Sequence, residues 1–213
     1  MSIERTTTRM SATNRQRQLL DAALTVFSRK GFKGTTTKEI AAEAGVAEAV
    51  IFQHFPSKDA LYNAVLDLNL GVFDTDQAAE AIKKHMEHGD DEELFRAVML
   101  RIMHGYRANA AFQRVVLFAA LEGHEQGLNR LHEQFEPVYH QFSEYIEKRQ
   151  REGALADGDP FDIVMSIIGI VHHYSLITSI MLAVVRDIPD EAVAERFTKI
   201  LLDGVRKRPP AKQ

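Results

Sequence analysis

The chain has 213 residues, 45% hydrophobic and 26% charged, with a net charge of −4 at neutral pH. That length suits one small and one larger domain with room for a buried core, and the acidic balance excludes a protein that coats nucleic acid by bulk attraction. With no cysteine, neither disulfides nor a Cys-based metal site can form.

Residues 1–14 are rich in Ser, Thr and Arg and lack an apolar run. They are expected to form a flexible tail without a signal peptide, which implies a cytoplasmic location. Gln16, Leu20, Ala23, Leu24 and Phe27 then recur at helical spacing, and Gly31 stands where a helix C′ residue takes positive φ. Thr36 followed three residues later by Glu39 is a capping-box pattern, so a second helix should start near Thr37. Ile40, Ala41 and Ala44 give it one apolar face, and Gly45 permits a sharp reversal. Ala47 to Phe55 fits the next helix, with Ile51 and Phe55 inward and Glu48, Ala49, Phe52 and Gln53 outward. Pro56 stops it, and Ser57 can cap a helix starting at Lys58. Two short helices joined by a tight turn and followed by a third have the spacing of a DNA-binding helix-turn-helix.

Further helices are expected near Lys58–Phe73, Asp76–His88, Asp91–Ala108, Ala110–Gly123 and His124–Arg151. Breaks fall at Gly89-Asp90, Asn109, Gly123 and Gly153 to Pro160, while Asp74-Thr75-Asp76 can kink the first. Ile163 to Val185 is long and apolar enough for a membrane span. Its Ser166, His172, His173, Tyr174, Ser175, Thr178 and Ser179 would be costly in lipid. It reads better as a helix buried on one side by its own subunit and on the other by a second copy. Ser166 and Gly169 would allow close approach, and an amphipathic helix from about Pro189 to Val205 would join it. Residues 207–213 should be a solvated tail. Charge is uneven: residues 1–60 carry 9 Lys and Arg against 6 Asp and Glu, and the remainder 17 against 24. A mildly basic end on an acidic body suits a protein that presents one face to phosphate.

The helix-turn-helix stretch resembles the TetR family of bacterial one-component transcriptional regulators. The matching residues are Leu19-Leu20, Ala22-Ala23, Phe27, Gly31-Phe32, Thr35-Thr36, Ile40-Ala41, Ala44-Gly45-Val46, Ile51-Phe52, His54-Phe55, Ser57-Lys58 and Leu61. The rest of the chain matches only in length, helical content and apolar pattern. The resemblance implies an all-α fold: a helix-turn-helix domain over residues 15–60 and an effector-binding and dimerisation domain over 61–206. It further implies a homodimeric repressor on a palindromic double-stranded operator, released by a small-molecule effector.

On DNA, Thr36, Thr37 and Lys38 would serve phosphates at the second helix, and His54 and Lys58 at the far side of the recognition helix. Base reading falls to Glu48, Ala49, Val50 and Gln53, with Phe52 on the same face. Glu48 can accept from cytosine N4, Gln53 can pair with adenine, and Ala49 and Val50 offer methyls to thymine. Ala47 stands where the family usually has a capping Ser or Thr, Ala49-Val50 replaces its common Gly-Thr, and Phe52 replaces its Tyr. The recognition helix carries neither Arg nor Lys, so specificity should rest partly on apolar contact and DNA shape.

Candidate effector-lining residues are Met99, Ile102, Met103, Tyr106, Phe112, Leu117, Phe118, Phe135, Tyr139, Phe142, His172 and Tyr174. Their Met and aromatic content suits a bulky apolar or aromatic ligand, although the same residues could simply fill core. Neither a cofactor nor an enzyme is expected. His85/His88, His124/Glu125, His132/Glu133 and His172/His173 match no metal spacing, and no Gly-x-Ser-x-Gly elbow or phosphate-binding Gly loop occurs. The other reading is a helical interaction module that has lost specific DNA binding.

Overall fold

A computed structural model describes residues 12–70, 77–184 and 187–206. The N-terminal tail through Ser11, the Asp74-Thr75-Asp76 kink, Val185 and the tail from Lys207 lie outside the described residues. The fold is all-α, with a helix-turn-helix domain at the N-terminus and a helical domain after it. The pairing of Leu155 with Arg206 is an isolated antiparallel bridge; no strand occurs among the described residues.

Contacts divide the chain into two units: 12–69 with 114–128, and 70–113 with 129–206. The first therefore takes in more chain than the helix-turn-helix stretch. It holds α1 (Ala12–Lys30), α2 (Thr37–Ala44), α3 (Glu48–His54) and nearly all of α4 (Lys58–Leu70). It also takes the end of α7 (Ala110–Glu122) and the start of α8 (Glu125–Arg151). Leu19, Ala23 and Phe27 of α1, Ile40 of α2, Ile51 of α3 and Leu61 and Val65 of α4 are all at 0% exposure. One apolar stripe per helix thus converges on a shared core.

The second unit holds α5 (Gln77–His88), α6 (Asp91–Ala108), the start of α7, the rest of α8, α9 (Pro160–Ser175) and α10 (Asp190–Val205). Its core joins Leu94, Phe95 and Met99 of α6 to Phe142 and Ile146 of α8, Val164 and Val171 of α9, and Ala194 of α10. Short polar groups start these helices. Asp90 accepts from the Glu93 N–H, Asn109 from Phe112 and Asp159 from Phe161, which satisfies amide groups that the helix itself leaves unpaired. α8 runs through Pro137, where the missing N–H removes one internal hydrogen bond.

The apolar segment expected as one helix from Ile163 to Val185 is divided. α9 begins three residues earlier because Asp159 caps it and Pro160 sits in its first turn, and it ends at Ser175. A π-helical turn follows over Leu176–Ile180, and Leu182 then takes positive φ. Pro160–Ile180 is long and apolar enough to cross a membrane, with an 18-residue stretch of mean hydropathy 1.7, 28% of which is buried. Phe161 and Met165 are exposed on α9, as is Ile200 on α10.

Ser175 is an exception to the polar accounting. It is 2% exposed, yet its hydroxyl finds no hydrogen-bond partner among the described residues. A buried hydroxyl without a partner carries its desolvation cost uncompensated. Ser175→Ala is therefore expected to raise stability by about 1 kcal/mol, seen as a rise of about 3 °C in the calorimetric midpoint.

Candidate nucleic-acid interface

The site is built outward from the α2–α3 turn. Thr36 adopts extended backbone and accepts from the Glu39 N–H, while the Glu39 carboxylate accepts from the Thr36 N–H at 2.9 Å. Both halves of the capping box are present, so α2 starts at Thr37. Gly45 turns left-handed at φ 66°, and the Gly45 and Val46 N–H groups close the helix onto Ala42 and Ala41 carbonyls. α3 follows after Ala47, which supplies no side-chain cap.

Ile51 and Phe55 are buried, which leaves Glu48, Ala49, Phe52 and Gln53 exposed and Val50 and His54 half-buried. Phe52 keeps 50% of its surface in solvent, a large apolar group with no core to join. Glu48 is oriented by a hydrogen bond from the Thr37 hydroxyl. That bond ties the N-terminus of α2 to the outer face of α3. Lys38 is exposed beside it.

Lys58 reaches back to the α1–α2 turn. Its ammonium donates to the Phe32 and Thr35 carbonyls at 2.9 Å each and lies 4.1 Å from the centre of the Phe32 ring. Two of its three donors are therefore used to close the α1–α2 turn, and one is left for a ligand.

The Lys30 ammonium, followed by the Thr36 N–H and hydroxyl, holds the Glu39 carboxyl down to about 2. A depressed carboxyl supports the fold above its ordinary pKa and loses that support as pH falls toward the depressed value. The cap on α2 should thus persist through the usual glutamate range and open only near pH 2. An NMR titration of the Thr36 and Glu39 amides checks this.

The effector candidates fall in both units. Met99, Met103, Tyr106, Phe112, Phe142 and Tyr174 are buried, and Ile102, Phe135, Tyr139 and His172 half-buried, in the second. Leu117 and Phe118 belong to the first, where Phe118 packs at Gly31. Tyr106 and His172 meet through the phenol oxygen and Nδ1 at 3.1 Å, with rings edge to face at 5.5 Å. Burial pushes the His172 imidazole down, which favours its neutral form. Tyr174 instead stacks edge-on against Phe197.

Sequence reading missed Glu122 and gave His124 no part in this turn. The Glu122 carboxylate accepts from the Phe32 N–H at 2.9 Å and the Lys33 N–H at 3.2 Å. His124 packs its ring on Phe32 and Tyr62. Phe32 and Glu122 lie 90 residues apart in sequence, beyond the reach of any local pattern.

Residues 19–65 match the model of the bacterial regulatory proteins of the tetR family, and they span this same geometry. Over these residues the chain carries the DNA-binding domain of the TetR family. Relatives match along nearly the whole regulator. It is 27% identical to the helix-turn-helix-type transcriptional regulator YvkB of Bacillus subtilis over 92% of this chain and 98% of that protein. It is equally identical to RutR of Escherichia coli over 91% and 92%. Among solved structures, the fatty acid degradation regulator FadR from Bacillus halodurans superposes with a TM-score of 0.68 at 17% identity, covering 94% of this chain and 100% of that one. AibR, solved with isovaleryl coenzyme A and operator DNA, gives 0.65 at 19%, covering 88% and 98%. The regulator is thus a DNA-binding transcription factor of all-helical fold, and its relatives are regulators of transcription.

Proposed function

We propose that this regulator is a cytoplasmic homodimeric repressor that reads a palindromic double-stranded operator through α3 and is released by a small, largely apolar effector. The outer face of α3 carries this reading. Glu48, Ala49, Phe52 and Gln53 are exposed together, and Glu48 is fixed in direction by Thr37. Thr36, Thr37, Lys38, His54 and the remaining donor of Lys58 supply phosphate contacts. Glu48 and Gln53 read base edges, and Ala49, Val50 and Phe52 make apolar contact with thymine methyls.

The exposed Phe161 and Met165 of α9 and Ile200 of α10 favour a second copy of the chain as the partner of that face. Two helices from each copy would cover it as a four-helix interface, and a dimer accounts for a two-fold operator. An effector held among the Met and aromatic side chains of the second unit would find its polar anchor at the Tyr106–His172 pair. AibR, solved with isovaleryl coenzyme A and operator DNA, is a precedent for a protein of this fold that takes both a small ligand and an operator. A ligand that favours the DNA-incompetent dimer by about 1–3 kcal/mol accounts for release from the operator.

The test is selection from a pool of random duplexes at moderate salt, followed by affinity measurement across salt concentrations. An inverted repeat whose affinity falls linearly on a log–log salt plot is expected. Failure to enrich any sequence from folded dimer would favour the interaction module instead. On the recovered operator, Gln53→Ala should cost about 1–3 kcal/mol, relax one base pair and leave the salt slope unchanged. Titration of wild-type and substituted operators against the variant reads all three.

A further inference from the structure

We infer that Glu122 is a positioning residue for DNA reading: its carboxylate seats the turn that presents α2, although it does not itself face DNA. The inference rests on the DNA-reading function proposed for α2 and α3. Residues 31–35 link α1 to the capped start of α2, and most of their polar backbone groups have an identifiable partner. The Gly31 N–H returns to the Phe27 carbonyl, and the Gly31 carbonyl accepts from the Thr35 hydroxyl at 2.6 Å. Lys58 takes the Phe32 and Thr35 carbonyls. The Phe32 and Lys33 N–H groups have no helix to join, and both go to Glu122.

The grip is reciprocal. Lys33 sends its ammonium to the main-chain carbonyl of Glu122 at 2.8 Å, so the turn holds the end of α7 by side chain and backbone together. Gly31 offers a second, independent sign of fit. It takes φ of 71°, and a Cβ there would run into the Glu122 carboxylate. The turn is shaped to admit that carboxylate closely, and the rings of Phe32, Tyr62 and His124 pack on one another at the same turn. The negative charge is felt at these rings: burial and then Glu122 raise the Tyr62 phenol to about 12.

Without the carboxylate, the two N–H groups would turn to water and the segment ahead of Thr36 would sample other conformations. Binding DNA would then have to order it again. Freezing one backbone residue costs about tenfold in affinity. Glu122→Ala is therefore expected to weaken operator binding about tenfold, with the salt slope unchanged because no phosphate contact is lost. It should also discriminate less than wild type against operators whose half-site spacing is altered by one base pair. Glu122→Gln keeps an acceptor oxygen and should stay within about threefold of wild type.

The experiment measures full-length wild type and both variants on the operator recovered for wild type, at several salt concentrations and three half-site spacings, with circular dichroism to verify the fold. Wild-type affinity and spacing preference in Glu122→Ala would overturn the inference. So would equal losses in Ala and Gln variants with a changed slope, which would mark an electrostatic effect. If the Ala variant does not fold, Glu122→Gln decides alone, and a loss of tenfold or relaxed spacing in it would overturn the seat. Failure of wild type itself to enrich an operator would instead defeat the DNA-reading proposal.

Discussion

Phe27→Ala is expected to lower the unfolding free energy by about 4 kcal/mol, the usual scale for removing a fully buried aromatic side chain. Phe27 is wholly buried, edge-on to Tyr62 at 5.0 Å and stacked with Phe32 at 6.1 Å. Its removal opens a cavity beneath the turn that leads into α2, and neighbours close such a gap only in part. Domains commonly hold about 5–15 kcal/mol in total, so a loss of this size leaves the helix-turn-helix partly unfolded near physiological temperature. Urea denaturation followed by helical signal would measure it. Operator affinity should fall in parallel as temperature rises, since the unfolded fraction cannot bind.

Asp91→Ala is expected to destabilise by about 3 kcal/mol through a different mechanism. In the second unit Arg149 of α8 forks onto Asp91 at the start of α6, Nε to Oδ1 at 2.9 Å and a terminal nitrogen to Oδ2 at 3.0 Å. The Tyr145 hydroxyl donates to the same carboxylate, and burial is the first cause of its raised phenol pKa. The pair is largely screened from water, at 18% and 13% side-chain exposure. Removing one member leaves a guanidinium and a phenol without their shared acceptor, at a cost of about 3–5 kcal/mol for a buried pair. Residual exposure and the Glu152 contact of Arg149 place the effect at the low end. Chemical denaturation of the full chain would show it. A loss below about 1 kcal/mol would mean that the pair behaves as a surface bridge.

The helix boundaries show what local chemistry can specify. α6 runs over Asp91–Ala108 and α2 starts at Thr37, as the caps and apolar spacing predict. α9 departs from prediction because Asp159 and Pro160 start it early and because the π turn at Leu176–Ile180 interrupts a mostly apolar run. Apolar composition alone contains no signal for a change of helical pitch. In the interface, the outward set on α3 follows from a 3.6-residue period. The position of Lys58 does not follow, because its partners are carbonyls at Phe32 and Thr35 rather than groups of its own helix.

The sequence by itself determined the all-α class, the two-helix reading head with its turn at Gly45, and the family. All three rest on interactions within a few residues: capping, helical period and the left-handed freedom of glycine. Only the tertiary structure decided that Lys58 closes the α1–α2 turn, that Glu122 receives the Phe32 and Lys33 amides, and that Arg149 meets Asp91. Each joins groups more than twenty residues apart, and such pairings exist only once packed helices bring distant polar atoms together and exclude the water that would otherwise satisfy them.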